Sequence, residues 1–276
     1  MRFTKSSPSP ARSRRDREKV RISFAFCAAI LETKDLTIKF TNSQIDRLGT
    51  RLRSASLSDA DLRLLDEYRF SFGPAYESVV RRIRDELLLE PTGRPAKSTA
   101  SLIEKLRRET IRLSQVQDIA GCRVIAENIV EQEKIVQSLY VLFAKSHMMD
   151  RRENPSYGYR SVHVIVEMFG KLIEIQVRTL LQHVWAELSE RLSDVVDPTI
   201  KYGGGDESIR KMLTGASEVV ENYENTERKL ARRQEQDTRD KHLPELEQQM
   251  VQLKHDIADH FREAISWLEL NKGRNP

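Results

Sequence analysis

Residues 172–178 read Leu-Ile-Glu-Ile-Gln-Val-Arg, an alternation of period two that suits a strand and no helix. In a strand, Ile173, Ile175 and Val177 share one face while Glu174, Gln176 and Arg178 share the other. Such a strand cannot bury its apolar face alone, so the chain must supply partner strands and a covering layer. Ile119 to Ala126 and Ser161 to Met168 are the β-branched candidates for partners. Between and after them, Glu131 to Lys145 and Leu180 to Leu192 carry helical periodicity. The expectation is an α+β fold, a mixed sheet surrounded by helices, with no internal repeat.

Helices dominate the first part of the chain. Thr41-Asn42-Ser43 can cap a helix containing Ile45, Leu48 and Leu52, and Ser58 another with Leu62, Leu65 and Tyr68. Gly73-Pro74 precedes a third pattern, Tyr76, Val79, Val80, Ile83 and Leu87. A breaker-rich loop, Pro91 to Pro95, leads to a helix start where Ser98, Ser101, Lys105 and Arg108 fall on one face. A hydroxyl and cations beside the unpaired N–H groups of a first helical turn suit phosphate; a solvated basic face is the alternative. After Tyr202, Gly203-Gly204-Gly205 reads as a flexible joint, followed by charged helical sequence. Leu246, Met250, Leu253, Ile257, Phe261, Ile265 and Leu268 then form an apolar stripe for packing on the core or on a partner. The organisation expected is a basic, partly disordered segment 1–40, a core over 41–200 and a charged helical extension over 201–276.

Lys and Arg outnumber Asp and Glu by 46 to 42, a formal charge of +4. That excess is compatible with nucleotide phosphates or RNA and too mild to demand nucleic acid. Cys27 and Cys122 match no disulfide framework or metal spacing, which points to buried thiols in a reducing compartment. No apolar run approaches the roughly 18 to 20 residues that span a bilayer, so a soluble, cytoplasmic protein with no membrane partner is expected. Basic Arg12 to Arg21 before apolar Ile22 to Leu31 loosely mimics a signal peptide, but Asp16, Glu18, Glu32 and Lys34 interrupt the pattern. A basic RNA-binding arm is the alternative reading of the Ser-, Pro- and Arg-rich first residues.

The polar face of 174–178 joins two other segments, Gln117 to Ile125 and Gly158 to His163. A carboxylate, an amide and a guanidinium beside a second carboxylate, Asp118, suit a magnesium-dependent phosphoryl-type transfer: hard oxygens hold Mg²⁺, a carboxylate takes a hydroxyl proton, and cations offset phosphate charge. Five positions separate Asp118 from Arg123, which would send them to opposite faces of one regular strand. Either Asp118 precedes the strand or Gly121 marks a bulge.

In this order, Lys97-Ser98-Thr99-Ala100-Ser101, Asp118-Ile119-Ala120-Gly121-Cys122-Arg123, Gly158-Tyr159-Arg160-Ser161-Val162-His163 and Glu174-Ile175-Gln176-Val177-Arg178-Thr179 resemble the synthetase domain of the RelA/SpoT alarmone synthetase family, over roughly Arg94 to Glu190. The resemblance implies a nucleotidyltransferase-like core and transfer of pyrophosphate from ATP to the ribose 3′-hydroxyl of GDP or GTP, with Mg²⁺ as cofactor. It implies that Asp118 holds the metal and that Glu174 activates the hydroxyl and helps hold the metal. Arg123 would stack on adenine, while Arg94, Lys97, Ser101, Lys105 and Arg108 would cradle ATP. On the acceptor side it implies Tyr159, stacking on the base, and His163, with Gln176 and Arg178 beside them.

Two features depart from the family pattern. The basic Pro-Lys-x-Asn-Gly-Tyr approach is replaced by Glu153-Asn154-Pro155-Ser156-Tyr157-Gly158-Tyr159, leaving Arg151 and Arg152 as candidates to replace the lysine. Arg94 lies three positions before Lys97 rather than two. The first ninety residues contain no histidine, and the His255-Asp256 dipeptide sits in the tail helix, so the paired His-Asp hydrolase of bifunctional relatives is not expected. Two alternatives remain: a toxin-type enzyme that pyrophosphorylates the 3′ end of tRNA, with an antitoxin partner, and a catalytically silent RNA-binding module. Retention of both Asp118 and Glu174 argues against the silent module. A homo-oligomer is compatible with the apolar tail stripe.

Overall fold

The computed structural model describes residues 40–54, 57–237 and 240–272. The expected basic arm, the apolar Ile22 to Leu31 stretch and Cys27 lie outside the described residues. In chain order the elements are α1 (Asn42–Leu52), α2 (Asp59–Phe70), α3 (Gly73–Leu87), β1 (Thr92–Arg94), α4 (Thr99–Arg108), β2 (Ala120–Ala126), α5 (Ile129–Leu142) and β3 (Ser146–Asp150). There follow β4 (Val162–Met168), β5 (Lys171–Thr179), α6 (Leu180–Val195), α7 (Glu207–Gln236) and α8 (Leu243–Leu270).

The five strands form one sheet in the order β1-β2-β5-β4-β3. β2 and β5 run parallel, whereas β1 on β2, β4 on β5 and β3 on β4 are antiparallel. Register aligns Cys122 with Ile175, Val124 with Val177, and Val164 with Ile175, so the β-branched alternation of three strands merges into one apolar face. Cys122, Val124, Val162, Val164, Val166, Ile173, Ile175 and Val177 are all buried there. Helices α3 and α5 cover that face, inserting Val79, Ile83, Ile135 and Leu139. Burial pushes the Cys122 thiol up to about 12, the Glu174 charge adding to the effect, so it behaves as a core residue.

Capping follows the sequence closely. Ser58 accepts the Asp61 N–H at the start of α2, and Ser98 accepts the Ser101 N–H at the start of α4. Thr179 and Gln182 form a reciprocal capping box that turns β5 directly into α6.

Two expectations are corrected, and one strand goes beyond the sequence reading. The breaker-rich loop contains β1, an edge strand paired to β2; a Cβ at Gly93 would lie 2.4 Å from the Gly121 carbonyl oxygen, so glycine permits the pairing. The edge strand β3 escapes the period-two reading, because its Ser-His-Met-Met-Asp sequence, with no buried residue, lacks β-branched residues. Gly203 to Gly205 is a packed turn rather than a loose joint: Gly203 (φ +80°) supports the Tyr157 ring, Gly204 abuts Thr199, and Gly205 (φ +76°) abuts Ile200.

The tail stripe packs on the core. Phe261, Ala264, Ile265 and Leu268 of α8 meet Trp185, Leu188 and Leu192 of α6, while Met250, Ile257 and Ala258 meet Leu181, Val184, Val220 and Tyr223. Among the described residues, no helix is long and apolar enough to cross a membrane.

Gly203→Ala should lower stability by about 1–3 kcal/mol, because a Cβ would come 2.1 Å from the Tyr157 ring at a left-handed backbone position. Gly215→Ala, in the open interior of α7, should instead raise stability by about 0.5–1 kcal/mol. Thermal melts of the two variants should shift in opposite directions.

Candidate active site

The face of the sheet opposite the apolar core is polar, and register decides what meets what. Gly121 lies beside Glu174, Arg123 beside Gln176, and His163 beside Gln176 from the other side. A Cβ on Gly121 would sit 2.7 Å from the Glu174 carbonyl oxygen and 3.3 Å from its Cβ. The glycine therefore allows a close approach rather than marking a bulge, and pairing runs unbroken from Ala120 to Ala126. Asp118 precedes β2, which resolves its relation to Arg123: only the arginine obeys the strand's alternation.

Five side chains close a hydrogen-bonded ring on this face. His163 Nδ1 lies 2.9 Å from Glu174 Oε1, and Gln176 Nε2 donates to Glu174 Oε2 at 2.7 Å. Arg178 Nη2 donates both to Gln176 Oε1 at 2.8 Å and to the Tyr159 hydroxyl oxygen at 2.9 Å. With Nδ1–H donating to Glu174, His163 Nε2 is left to accept the Tyr159 hydroxyl at 2.9 Å. The ring fixes the orientation of the Glu174 carboxylate. Burial pushes that carboxyl upward, but the His163 contact outweighs it, and Glu174 lies below its ordinary range.

Asp118 sits between two lysines. Lys97 Nζ donates to Oδ2 and Lys105 Nζ to Oδ1, each at 2.8 Å. Burial raises the Asp118 carboxyl, yet Lys97 and then Lys105 overcome this and hold it at about 2. Lys97 is itself pinned through its backbone, its N–H donating to the Ile119 carbonyl and its carbonyl accepting from Arg69 Nε.

A cavity of about 510 Å³ brings together Arg94, Lys97, Asp118, Arg123, Glu174, Gln176 and Arg178. Arg123 Nε and Arg178 Nε and Nη1 are buried with no hydrogen-bond partner among the described residues, so the wall presents unused cationic donors. Tyr159, His163 and Lys105 join this wall through their bonds to Arg178, Glu174 and Asp118. Ser101 and Arg108 do not line it: the Ser101 hydroxyl accepts from Ser98, and the Arg108 guanidinium stacks 3.5 Å from the Tyr202 ring centroid and pairs with Glu109. Nor does Arg152 replace the absent lysine: Asp150, Gln132 and Glu133 hold it in a separate cavity.

Sequence reading missed Glu190 and His183. Glu190 of α6 lines the cavity and opposes the burial and Arg178 repulsion that lower the Arg123 guanidinium. His183, one turn into α6, is held at about 4 by burial and by Arg123, Arg178 and Arg262. The one signal in the chain is helical spacing after Thr179, which places positions 183, 187 and 190 on one side of α6.

Known proteins resemble this chain in sequence and in fold. Residues 93–193 match the family described as a region found in RelA / SpoT proteins. An uncharacterized protein of Mycobacterium tuberculosis is 33% identical over 186 residues, covering 64% of this chain and 66% of that protein. A GTP pyrophosphokinase of Bacillus subtilis is 35% identical over 147 residues, covering 47% of this chain and 65% of the relative. The chain thus spans just under two thirds of the length of these curated relatives. In fold it is similar to the small alarmone synthetase 1 of Bacillus subtilis bound to its product pppGpp, with a TM-score of 0.50 and 21% identity over 63% of this chain and 100% of that one.

The Asp118 pairs have a pH signature. A carboxyl at about 2 when folded and 3.8 when unfolded adds stability that is complete above the unfolded value and disappears as pH falls toward 2. The contribution is on the order of 2 kcal/mol. Asp118→Asn, which leaves two ammonium groups unpaired, should be clearly less stable than the parent at pH 7, and urea titrations should show the gap closing between pH 5 and pH 2.

Proposed function

We propose that this chain, whose residues 93–193 match the region found in RelA / SpoT proteins, transfers pyrophosphate from ATP to the 3′-hydroxyl of an acceptor ribose, with GDP or GTP as acceptor. The observation that carries this reading is the pair of ionised carboxylates, Asp118 and Glu174, on one cavity wall studded with Arg94, Lys97, Arg123 and Arg178. The 35% identity to a GTP pyrophosphokinase supports it.

In this reaction the acceptor 3′-oxygen bonds to the β-phosphorus of ATP, the bond from that phosphorus to the α–β bridging oxygen breaks, and AMP leaves. The hydroxyl proton goes to Glu174, whose carboxylate is aimed by His163 and Gln176 and kept ionised despite burial. Lys97, Lys105 and Arg94 answer the triphosphate charge, and Arg123 supplies a planar guanidinium for the adenine. Tyr159 offers a ring to the acceptor base while its hydroxyl stays in the ring of hydrogen bonds.

Asp118 and Glu174 are hard oxygen donors on one wall, a set that fits Mg²⁺ completing its shell with water and phosphate oxygens. The ion would neutralise phosphate charge during transfer.

One observation favours the 3′ end of tRNA as the acceptor instead. With Arg152 held in a separate cavity and Arg151 donating to Ser156, the loop before Tyr159 offers little to a free nucleotide's 5′-diphosphate. Incubation with ATP labelled in its β-phosphate, alongside GDP, GTP or deacylated tRNA, decides between them by which acceptor gains label. Absence of label in all three sinks the proposal.

Glu174→Gln should fold normally and lose roughly 10²- to 10⁴-fold in turnover, because an amide cannot take the proton; unchanged turnover would remove Glu174 from the mechanism. Tyr159→Ala should raise the acceptor KM roughly 10- to 100-fold, from about 1–3 kcal/mol of lost stacking, while leaving the ATP KM nearly constant. Tyr159→Phe, which keeps the ring, should raise the acceptor KM far less. Equal acceptor KM values for the two variants would count against stacking.

A further inference from the structure

Both oxygens of Asp118 are occupied, one by each lysine, and all three side chains are about four-fifths buried, with exposures of 19%, 20% and 21%. These are not surface pairs that fray freely in water. Both oxygens of Glu174 are likewise engaged, by His163 and Gln176. Among the described residues, no group of three or more His, Cys, Asp or Glu side chains stands ready to hold a metal ion. A divalent cation approaching this wall alone would have to displace a largely buried ammonium group from each Asp118 oxygen it took, and would find few protein ligands.

A nucleoside triphosphate changes both terms. Its phosphate oxygens give Lys97 and Lys105 a new partner, and they supply the oxygen ligands that the protein lacks. We propose that Lys97 and Lys105 are place-holders for the metal: they keep Asp118 occupied until a triphosphate draws them off, so that the divalent cation binds with the nucleotide and not before it. The inference rests on the pyrophosphotransfer reading for the identity of the nucleotide. The exchange is one of ion pairs, with no covalent step. Lys97 fits the task because its backbone is fixed at both N–H and carbonyl, leaving only the side chain to swing. The two sites are then coupled, and by reciprocity each ligand strengthens the other by the same factor.

The test uses Mn²⁺ as the probe, read by electron paramagnetic resonance and calorimetry on the full chain. The nucleotide-free protein should show no saturable Mn²⁺ binding in the micromolar range, and a non-hydrolysable ATP analogue should create such a site. Binding of the analogue without metal should shift the Nζ resonances of Lys97 and Lys105, whereas Mn²⁺ or Mg²⁺ alone should leave them in place. Lys97→Met combined with Lys105→Met should tighten Mn²⁺ binding to the nucleotide-free protein at least tenfold, and adding Asp118→Asn should abolish the gain. Circular dichroism reports whether the variants fold; the measurements on the unmodified chain stand without them. Micromolar Mn²⁺ binding to the unmodified, nucleotide-free protein that Asp118→Asn removes would overturn the place-holder role and leave the pyrophosphotransfer reading intact. Failure of the analogue to bind at all, with or without metal, would sink both.

Discussion

The parallel pairing of β2 with β5 is the constraint from which the site follows. Parallel neighbours need a crossover, and here α5, β3 and β4 lie between them in sequence. That crossover returns the chain so that Gly121 abuts Glu174 and Arg123 abuts Gln176. A one-residue slip would carry Glu174, Gln176 and Arg178 into the apolar layer beneath α3 and α5. Burial of Ile173, Ile175 and Val177 therefore sets the register, and the register sets the polar face.

That face carries groups that would be costly to bury alone, and their arrangement explains how they persist. Glu174 and Arg178 are both buried, yet each is bonded within the five-membered ring of side chains. Behind the sheet a second polar network ties the layers: Gln132 of α5 donates to the Val177 carbonyl and to Gln182, which in turn donates to Glu224 of α7. Burial raises the Glu224 carboxyl in spite of its bonds from Thr179 and Gln182. These contacts hold β5, α5, α6 and α7 in one geometry, and a site that must hold charge in place before a substrate arrives depends on such rigidity.

The C-terminal helices bear on the Tyr159 side of the cavity through the same kind of contact. Ser217 of α7 donates to the Gly158 carbonyl and accepts from Arg160 Nε, and Arg160 also donates to the Arg152 carbonyl. Gly158, at φ +86°, leaves room for Trp185, whose Nε1 donates to the Leu213 carbonyl. The loop that presents Tyr159 is thus held against α6 and α7 along its length. What looks in sequence like an appended charged tail is the support on which that loop rests.

Local chemistry makes much of this legible in the chain itself. The alternation at 172–178, the capping residue Ser58, and the apolar stripe of α8 are short-range patterns with one stable solution each. The carboxylates Asp118 and Glu174 stand out because their spacing to Arg123 and Arg178 accompanies a strand pattern. Edge strands β1 and β3 are illegible there, since their stability comes from a neighbour's hydrogen bonds and not from their own residues. Gly121 reads equally well as a bulge or a close approach, and only the identity of the neighbour, Glu174, decides. Glu190, His183 and the lysine pair on Asp118 depend on distances between elements far apart in the chain. Sequence singled out the candidate residues, because residue type and period are local; tertiary structure alone decided which of them meet, because a side chain's partners are set by packing across the sheet.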